Sequence, residues 1–292
     1  MSLNPRPHFQ VPIGSHTLSL GTHTAIMGII NLTPDSFSKD GLANSKNSTE
    51  QALIRAQKMI KEGADLLDIG GESTRPGSKP ISAKEEIRRV IPVIKKISSR
   101  VKAKTPISVD TYKPLVAQYA LDAGAAIINN IMGTPADKEL LKMVRNYNAA
   151  MILMHIRGKP RTMQKNILYQ NLIKEIIREL KSSIEKCLEI GIKSDKIIID
   201  PGIGFGKTPE HNLAIINRLE EFQVLKKPIL IGTSRKSFIG RLLNKEAEKR
   251  IFGTIASVCV SVLNGAHIVR VHDVAAVKDA VLVMDAILQQ ST

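Results

Sequence analysis

Short runs of apolar, often β-branched residues recur along the chain, and each is followed by a polar or glycine-rich turn. The runs predict eight strands, over residues 25–30, 65–69, 106–109, 126–128, 149–154, 196–199, 228–231 and 267–271. Between them, apolar residues at helical spacing predict helices over 49–61, 83–98, 114–123, 136–146, 168–190, 210–220, 249–263 and 274–288. Each strand–helix unit averages about 36 residues, which suits a βαβ unit.

The residues at the strand ends favour one of two architectures. A doubly wound sheet gathers its site from the few strand ends at its switch point, whereas a closed barrel brings all eight ends to one face. Here every strand ends in chemically active side chains: Asn31, Asp68, Asp110, Asn129, His155, Asp200, residues 234–236, and Arg270 with His272. We therefore predict an α/β protein with a (β/α)8 TIM barrel.

The barrel is predicted as a single domain over residues 1–292, in which residues 1–24 form an arm or hairpin that closes the bottom. Two connections are long for loops that follow barrel strands, over residues 33–48 and 72–82. Both are rich in Gly, Pro, Ser and Asn, and loops of this length in a compact barrel often act as lids.

Composition limits the classes of partner and the compartment that we expect for this chain. The chain has 42 Lys and Arg against 27 Asp and Glu, a net charge of +15, but the excess is spread over helical segments. Aromatic residues make up 3% and Trp is absent, so a stacking surface for nucleic acid is not expected. The uncharged run 251–269 is interrupted by Asn264 and Gly265, which predicts a helix and a strand rather than a membrane span. Two cysteines and the lack of a signal pattern at the start favour the cytoplasm.

Six strings lie at or just after the predicted strand ends. They are MGIINLTPDSFSKDG (27–41), DIGGESTRPGS (68–78), SVDTYKP (108–114), DPGIGFGK (200–207), GTSRKSFIG (232–240) and RVHDV (270–274). Each is modest alone, but in this order they closely resemble the dihydropteroate synthases, pterin-binding enzymes of folate biosynthesis, from about residue 25 to 275. The resemblance implies transfer of a dihydropterin methyl carbon from pyrophosphate to 4-aminobenzoate, with Mg2+ present.

The resemblance assigns the pterin to Asp110, Asn129, Asp200, Lys236 and Arg270. The chemistry agrees, because a carboxylate can accept the adjacent N–H groups of a 2-amino-pyrimidinone as it accepts those of Arg. Other roles stay open: Asp110 could cap the next helix, Asp200 could stabilise a turn, and the two together could form a glycosidase pair. The residue after Asn129 is Asn130, where the family commonly has Asp.

An anion site is predicted at the last strand. Arg270 and His272 alternate with valines, so both side chains point to one face, and phosphate sites recur at the last strands of TIM barrels. By resemblance, the pyrophosphate contacts Asn31, Thr74, Arg75, Arg270 and His272. Asn31 would also bind Mg2+, although a strand-end Asn can equally serve a turn.

The remaining assignments also come from the resemblance. The aminobenzoate would contact Thr74, Pro76, Phe205 and Ser237, with Phe205 as an exposed ring between two glycines. The catalytic groups would be Arg75, Lys236, Arg270 and His272. We further expect Asp35 and Arg75 to pair when the two long loops fold inward. Because an aromatic amine is already nucleophilic, we expect a loose, dissociative displacement without a general base, in which the pterin substrate binds first.

Three alternatives remain: a pterin-binding methyltransferase domain, a basic RNA-binding protein and a sugar-phosphate enzyme. The methyltransferase would not need the Thr74–Pro76 loop, the Ser234–Ser237 turn or the Arg270–His272 pair. The RNA-binding protein would need clustered charge and stacking aromatic residues, and the sugar-phosphate enzyme leaves the pterin-edge groups unexplained. Finally, the helix over 251–263 is apolar on most sides, which favours a homodimer packed through the late helices.

Overall fold

A closed ring of eight parallel strands forms the centre of the molecule. The computed structural model describes residues 6–14, 16–33, 46–74, 77–101 and 105–290. A hairpin, β1 (Phe9–Ile13) and β2 (His16–Leu20), precedes the ring. The ring strands are β3 (Ala25–Asn31), β4 (Leu66–Gly70), β5 (Ile107–Asp110), β6 (Ile127–Asn130), β7 (Ala150–Met154), β8 (Ile197–Asp200), β9 (Leu230–Ile231) and β10 (Ile268–Val271).

The strand order confirms the predicted barrel. It runs β8-β7-β6-β5-β4-β3-β10-β9, and a parallel bridge between Ile199 and Ile229 joins the two ends. All eight strands therefore point the same way, and their carboxyl ends surround one mouth.

Helices connect the strands on the outside. They are α1 (Lys46–Lys61), α2 (Ala83–Arg100), α3 (Pro114–Asp122), α4 (Lys138–Asn146), α5 (Leu172–Ile190), α6 (Pro209–Asn217), α7 (Ser237–Leu243), α8 (Ile251–Leu263) and α9 (Val274–Gln289). Short 3-10 helices cover Ser194–Lys196, Leu219–Leu225 and Ala247–Lys249. In the described part of the chain, no helix is both long enough and apolar enough to cross a bilayer.

The hairpin closes the amino-terminal end of the barrel, as predicted. Val11, Ile13 and Leu20 are each 1% exposed, and they pack against barrel-interior residues such as Ala25 and Ile268, the first residues of their strands. A second apolar layer lies between the strands and the helices. With one end plugged by apolar side chains, polar chemistry is concentrated at the other end.

Candidate active site

A pocket opens at the carboxyl ends of the strands. The residues around it come from seven different strand ends or the loops after them. They are Thr74, Asp110, Asn129, Ile131, Met154, Asp200, Ile203, Phe205, Gly232, Lys236 and Arg270. The structure thus brings together all five residues predicted to bind the pterin.

Arg270 forms ion pairs with two carboxylates at the pocket. Its Nε donates to Asp68 Oδ2 at 2.6 Å, and its Nη2 donates to Asp110 Oδ2 at 3.1 Å. Asn129 Nδ2 donates to the same Asp68 oxygen at 3.0 Å. Asp68 is completely buried, and Arg270 compensates its charge. Asp68 therefore orients two pocket side chains, Arg270 and Asn129.

Asp68 has no role in the sequence prediction, which noted it only as a strand-end residue. It lies within β4, faces the barrel interior, and contacts Arg270 from 202 positions away in the chain. The available signal was its place in the string DIGGESTRPGS, where it is the first charged residue after a buried run.

The two pocket carboxylates are strongly desolvated. Burial, opposed by the charge of Arg270, raises the pKa of Asp110 to about 7. Burial also raises the pKa of Asp200, although Gly202 N donates to its Oδ1 at 2.7 Å. Asp200 therefore supports the turn as well as lining the pocket, whereas Asp110 pairs with Arg270 and does not cap a helix. A ligand that donates N–H groups would favour the ionised form of both.

Lys236 supplies a second cation to the pocket. It is the N-cap residue of α7, and its Nζ lies 4.2 Å from the centroid of the Phe205 ring. Burial and the nearby charge of Arg270 lower the pKa of Lys236 to about 8. Ser237 follows as the exposed first residue of α7.

His272 is held by the neighbouring strand end. Ser234 Oγ accepts from His272 N at 3.2 Å and lies 3.1 Å from Nδ1 of the same ring. The hydroxyl can donate to Nδ1 or accept from it, depending on the tautomer of the ring. Burial and the charge of Arg270 lower the pKa of His272 to about 3. A pKa this low favours a neutral ring at neutral pH, and the contact of His272 with the pyrophosphate stays a prediction.

Arg235, by contrast, turns away from the pocket. Its backbone is left-handed, with φ of 58°, and its guanidinium forms two bonds to Asp273, at 3.0 Å (Nε) and 2.5 Å (Nη2). This bidentate pair ties the turn before α7 to the start of α9. Its role in the structure is to hold the turn that presents Lys236.

Phe205 differs from its prediction. The ring is 8% exposed and packs with Ile131, Met154, Ile156 and Met163, so the expected exposed ring is wrong. Its loop is tight: a methyl group at Gly202 would overlap the carbonyl oxygen of His155, and Gly202 has φ of 74°. The loop presses the ring into the pocket wall.

Lys207 lies directly behind this loop and was also missed. It is 2% exposed, and burial, opposed by the charge of Asp200, lowers its pKa to about 7. It ends the string DPGIGFGK, but nothing in the local pattern indicates that its side chain turns inward. His155, the residue at the end of β7, is its partner at 2.9 Å.

Asn31 and Asn130 occupy different surroundings. A methyl group at Gly70 would lie 3.6 Å from Asn31 Oδ1 and 3.7 Å from Asp110 Oδ2, which places the Asn31 amide beside the carboxylates at the mouth. Asn130 pairs in register with Leu153 of the outer apolar layer, and its Oδ1 accepts from Met132 N at 2.9 Å. Asn130 therefore serves a turn outside the pocket, and its Nδ2 is buried without a hydrogen-bond partner among the described residues.

The second long loop is anchored at its root. Glu72 accepts from Lys113 Nζ at 2.6 Å, Tyr112 Oη at 3.0 Å and Ile81 N at 2.9 Å. Thr74 reaches the pocket wall from this loop. Residues 34–45, 75 and 76 lie outside the described residues, so the roles of Arg75 and Pro76 and the Asp35–Arg75 pairing stay predictions.

A wider cleft opens on the outer side of the loop after β7. It is lined by Arg157, Gly158, Thr162, Met163, Lys165, Asn166, Ile167 and Gly206. It contains no carboxylate, and Arg157 is already paired with Glu175 and Glu179. The strand-end pocket, although smaller, is the one that combines acids, a buried cation and an amide.

Comparison with known proteins agrees with this geometry. The profile of the pterin binding enzymes matches residues 27–272. A dihydropteroate synthase of Clostridium beijerinckii is 45% identical over 279 residues, which cover 95% of this chain and 99% of that protein.

Two solved structures are similar throughout. A Yersinia pestis dihydropteroate synthase in complex with a sulfonamide drug has a TM-score of 0.89 at 38% identity, covering 97% of this chain and 100% of that one. A Xanthomonas albilineans dihydropteroate synthase with 4-aminobenzoic acid has a TM-score of 0.87 at 37% identity, covering 96% and 98%.

Proposed function

This chain belongs to the dihydropteroate synthases, a group of pterin-binding transferases, and we propose that it makes 7,8-dihydropteroate. The substrates are 6-hydroxymethyl-7,8-dihydropterin pyrophosphate and 4-aminobenzoate, and pyrophosphate leaves. The observation that carries this conclusion is the convergence of Asp110, Asn129, Asp200, Lys236 and Arg270 on one pocket at the barrel mouth.

The pterin ring would be held by hydrogen bonds from its pyrimidinone edge. Asp200 and Asp110 would accept ring N–H groups, and Asn129 offers both a donor and an acceptor. Support comes from the orientation of Asn129, which Asp68 fixes at 3.0 Å. Arg270, braced by two carboxylates, would lie against the ring without having to move on binding.

Departure of the pyrophosphate is the difficult step, because negative charge gathers on the leaving group. Arg270 supplies a permanent cation, since its two carboxylate partners raise its pKa although burial opposes them. His272, whose pKa is lowered, would donate its ring N–H to the leaving group as a neutral ring. Arg75 of the second loop would add a further cation by the family resemblance. The pterin, held against Asp110 and Asp200, would spread the positive charge that develops on the methylene carbon.

Magnesium is part of this proposal. Within the described ranges, no cluster of three or more His, Cys, Asp or Glu side chains could hold a metal. Asn31 offers one amide oxygen beside Asp110 at the mouth, which fits Mg2+ because this ion uses one or two protein oxygens and takes the rest from phosphate and water. When bound, the ion would neutralise charge on the pyrophosphate.

The aminobenzoate would approach from the Phe205 side. Phe205 would pack against its ring, the hydroxyl of Ser237 would bind its carboxylate, and Thr74 and Pro76 would close the pocket. Its amine is uncharged at neutral pH and needs no general base. Because a sulfonamide drug is bound in the Yersinia pestis relative, we infer that such drugs compete with aminobenzoate here.

The direct test is turnover with purified protein, both substrates and Mg2+. We expect dihydropteroate and pyrophosphate in equal amounts, and neither when one substrate is omitted. Product formation from the pterin substrate without aminobenzoate would contradict the proposal. A pterin-binding methyltransferase stays the second candidate, but the relatives reported above are synthases over nearly the full chain.

We extend the proposal to assembly and location. Exposed apolar side chains on the late helices, Phe252 on α8 and Leu282 and Val283 on α9, support a homodimer through this surface. Two unpaired cysteines, Cys187 and Cys259, suit the reducing cytoplasm, where folate synthesis would take place.

A further inference from the structure

Lys207 has a complete set of partners behind the active-site wall. Its Nζ donates to Phe205 O at 3.0 Å and to His155 Nδ1 at 2.9 Å, and His155 O lies at 3.5 Å. An ammonium group has three protons, so these three acceptors account for all of them. Lys207 does not line the strand-end pocket, and the proposed mechanism makes no use of it.

The partners of Lys207 continue outward as a connected chain. His155 Nε2 contacts Glu179 Oε2 at 3.0 Å, and Glu179 Oε1 accepts from Arg157 Nη2 at 2.5 Å. Arg157 lies 3.8 Å from the centroid of the Tyr169 ring, and the Tyr169 hydroxyl donates to Gly206 O at 3.1 Å. This chain of contacts starts at Lys207 and ends at Gly206, on the same glycine-rich loop.

These contacts fix the backbone on both sides of Phe205. Lys207 binds the carbonyl of Phe205, and Tyr169 binds the carbonyl of Gly206. Gly204 N donates to Asn212 Oδ1 at 2.7 Å, and Gly204 O accepts from Gln164 at 2.8 Å. Because these backbone groups are all hydrogen-bonded, the Phe205 ring has little freedom to move away from the pocket wall, where it contacts Lys236.

We propose that Lys207 is a positioning residue for the transfer reaction, which it supports by holding the Phe205 loop through the His155–Glu179 chain. The inference rests on the proposed function, because it assigns Phe205 to the aminobenzoate side.

The chain provides a matched control for burial alone. Lys196 is 4% exposed and likewise donates to two backbone carbonyls, Pro12 O at 3.1 Å and Asn148 O at 2.6 Å. It lies at the opposite end of the barrel, beside the hairpin. A purely structural role would make Lys196→Met and Lys207→Met behave alike, because both remove a buried ammonium and keep the apolar stem.

The test compares the two variants in the full-length chain. Lys207→Met should raise KM for aminobenzoate about tenfold, the equivalent of one lost contact, with kcat changed by less than about threefold. Lys196→Met should leave both constants within about twofold of the wild type. Hydrogen exchange of the 200–207 segment should accelerate in Lys207→Met and stay unchanged in Lys196→Met.

A double-mutant cycle with Phe205→Leu tests whether Lys207 acts through that ring. We expect the KM for aminobenzoate of the double variant to be close to that of Phe205→Leu alone. Once the ring is removed, loss of the residue that positions it has no further effect. Additive effects on KM, or an unchanged KM in Lys207→Met, would overturn the proposal.

Two further measurements keep the test decisive. If Lys207→Met does not fold, Glu179→Gln on the half-buried outer end of the chain should still raise the same KM about threefold, and a wild-type value would refute the role. If the wild-type protein gives no turnover, the proposed function fails. The exchange comparison then decides separately whether Lys207 holds the loop.

Discussion

At the scale of single residues, the pocket divides its two substrates between two sets of side chains. Asp200 is 6% exposed at the end of β8, whereas Ser237 is exposed at the start of α7. Removing the Asp200 carboxylate deletes charged acceptors for ring N–H groups, and such bonds are about twice as strong as neutral ones. Removing the Ser237 hydroxyl deletes one neutral donor. The two substitutions should therefore affect different substrates by different amounts.

We expect Asp200→Ala to weaken binding of the pterin substrate by at least about a hundredfold, equal to about 2.7 kcal/mol. Ser237→Ala should raise KM for aminobenzoate about tenfold and leave pterin affinity within about twofold. Calorimetric titration with the pterin and steady-state kinetics with aminobenzoate measure the two. Asp200→Asn, which keeps an acceptor for Gly202 N, controls for a collapsed turn. Equal loss of pterin affinity in both variants would contradict the assignment.

The raised pKa of Asp110 predicts a pH dependence. With a pKa of about 7, the group is protonated in acid and becomes an N–H acceptor as pH rises through that value. The kcat/KM for the pterin substrate should therefore fall below pH 7, by up to about tenfold per pH unit. In Asp110→Asn this acidic limb should disappear. The pyrophosphate of the substrate also titrates, and burial raises the pKa of Asp200 as well. A limb that persists unchanged in the variant would belong to one of these groups and contradict the prediction.

The sequence predicted the pocket residues better than their contacts. The strand ends at Asp110, Asn129, Asp200 and Arg270 could be placed at one mouth because parallel strands deliver such residues to one place. Their assignment to the pterin came from the family resemblance. The Asp68–Arg270 pair could not be predicted, since no local pattern encodes a contact across 202 positions. The lowered pKa of His272 could not be predicted either, because it depends on burial and on neighbouring cations from other elements.

At the scale of elements, periodicity predicted where strands and helices exist, and local capping decided where they end. The helix predicted over 168–190 begins only at Leu172, because Asn171 caps it by accepting from Lys174 N at 3.2 Å. The helix predicted over 210–220 ends at Asn217 and continues as a 3-10 segment. Both boundaries depend on side-chain bonds and turn geometry that an apolar repeat does not contain.

The segment before the barrel is attached to the last helix by one buried acid. Asp285 accepts from Arg6 Nη2 at 2.6 Å, Thr24 N at 2.7 Å and Thr24 Oγ1 at 2.9 Å. Both charged side chains are 7% exposed, so removing one leaves the other charge buried and unpaired. This attachment lies at the hairpin end of the barrel, away from the pocket.

Asp285→Ala should therefore lower the free energy of unfolding by about 3 kcal/mol and leave both KM values within about twofold. Denaturant unfolding measures the first and steady-state kinetics the second. Glu221→Ala is the matched control, because it breaks an exposed ion pair with Arg218 and should cost less than about 0.5 kcal/mol. A change in KM as large as that of a pocket variant would show that the two ends of the barrel are coupled.

At the scale of the whole molecule, net charge and the late helices act against each other. A net charge of +15 repels a second copy at long range, while α8 and α9 expose apolar side chains that a second copy could cover. The repulsion is screened by salt, with a Debye length of about 10 Å at 0.1 M, whereas apolar burial is not. The proposed dimer should therefore strengthen as salt rises.

Sedimentation of the wild type should show a dimer at micromolar concentration that dissociates measurably at low salt. Phe252 is 76% exposed at the start of α8, and Phe252→Glu would place a charge in the apolar contact, so it should give a folded monomer at every salt concentration. Leu168→Glu is the control, because Leu168 is 78% exposed but lies before α5 and should not affect assembly. A wild type that is monomeric at high salt would exclude the dimer. A Leu168→Glu variant that dissociates as readily as Phe252→Glu would place the contact elsewhere.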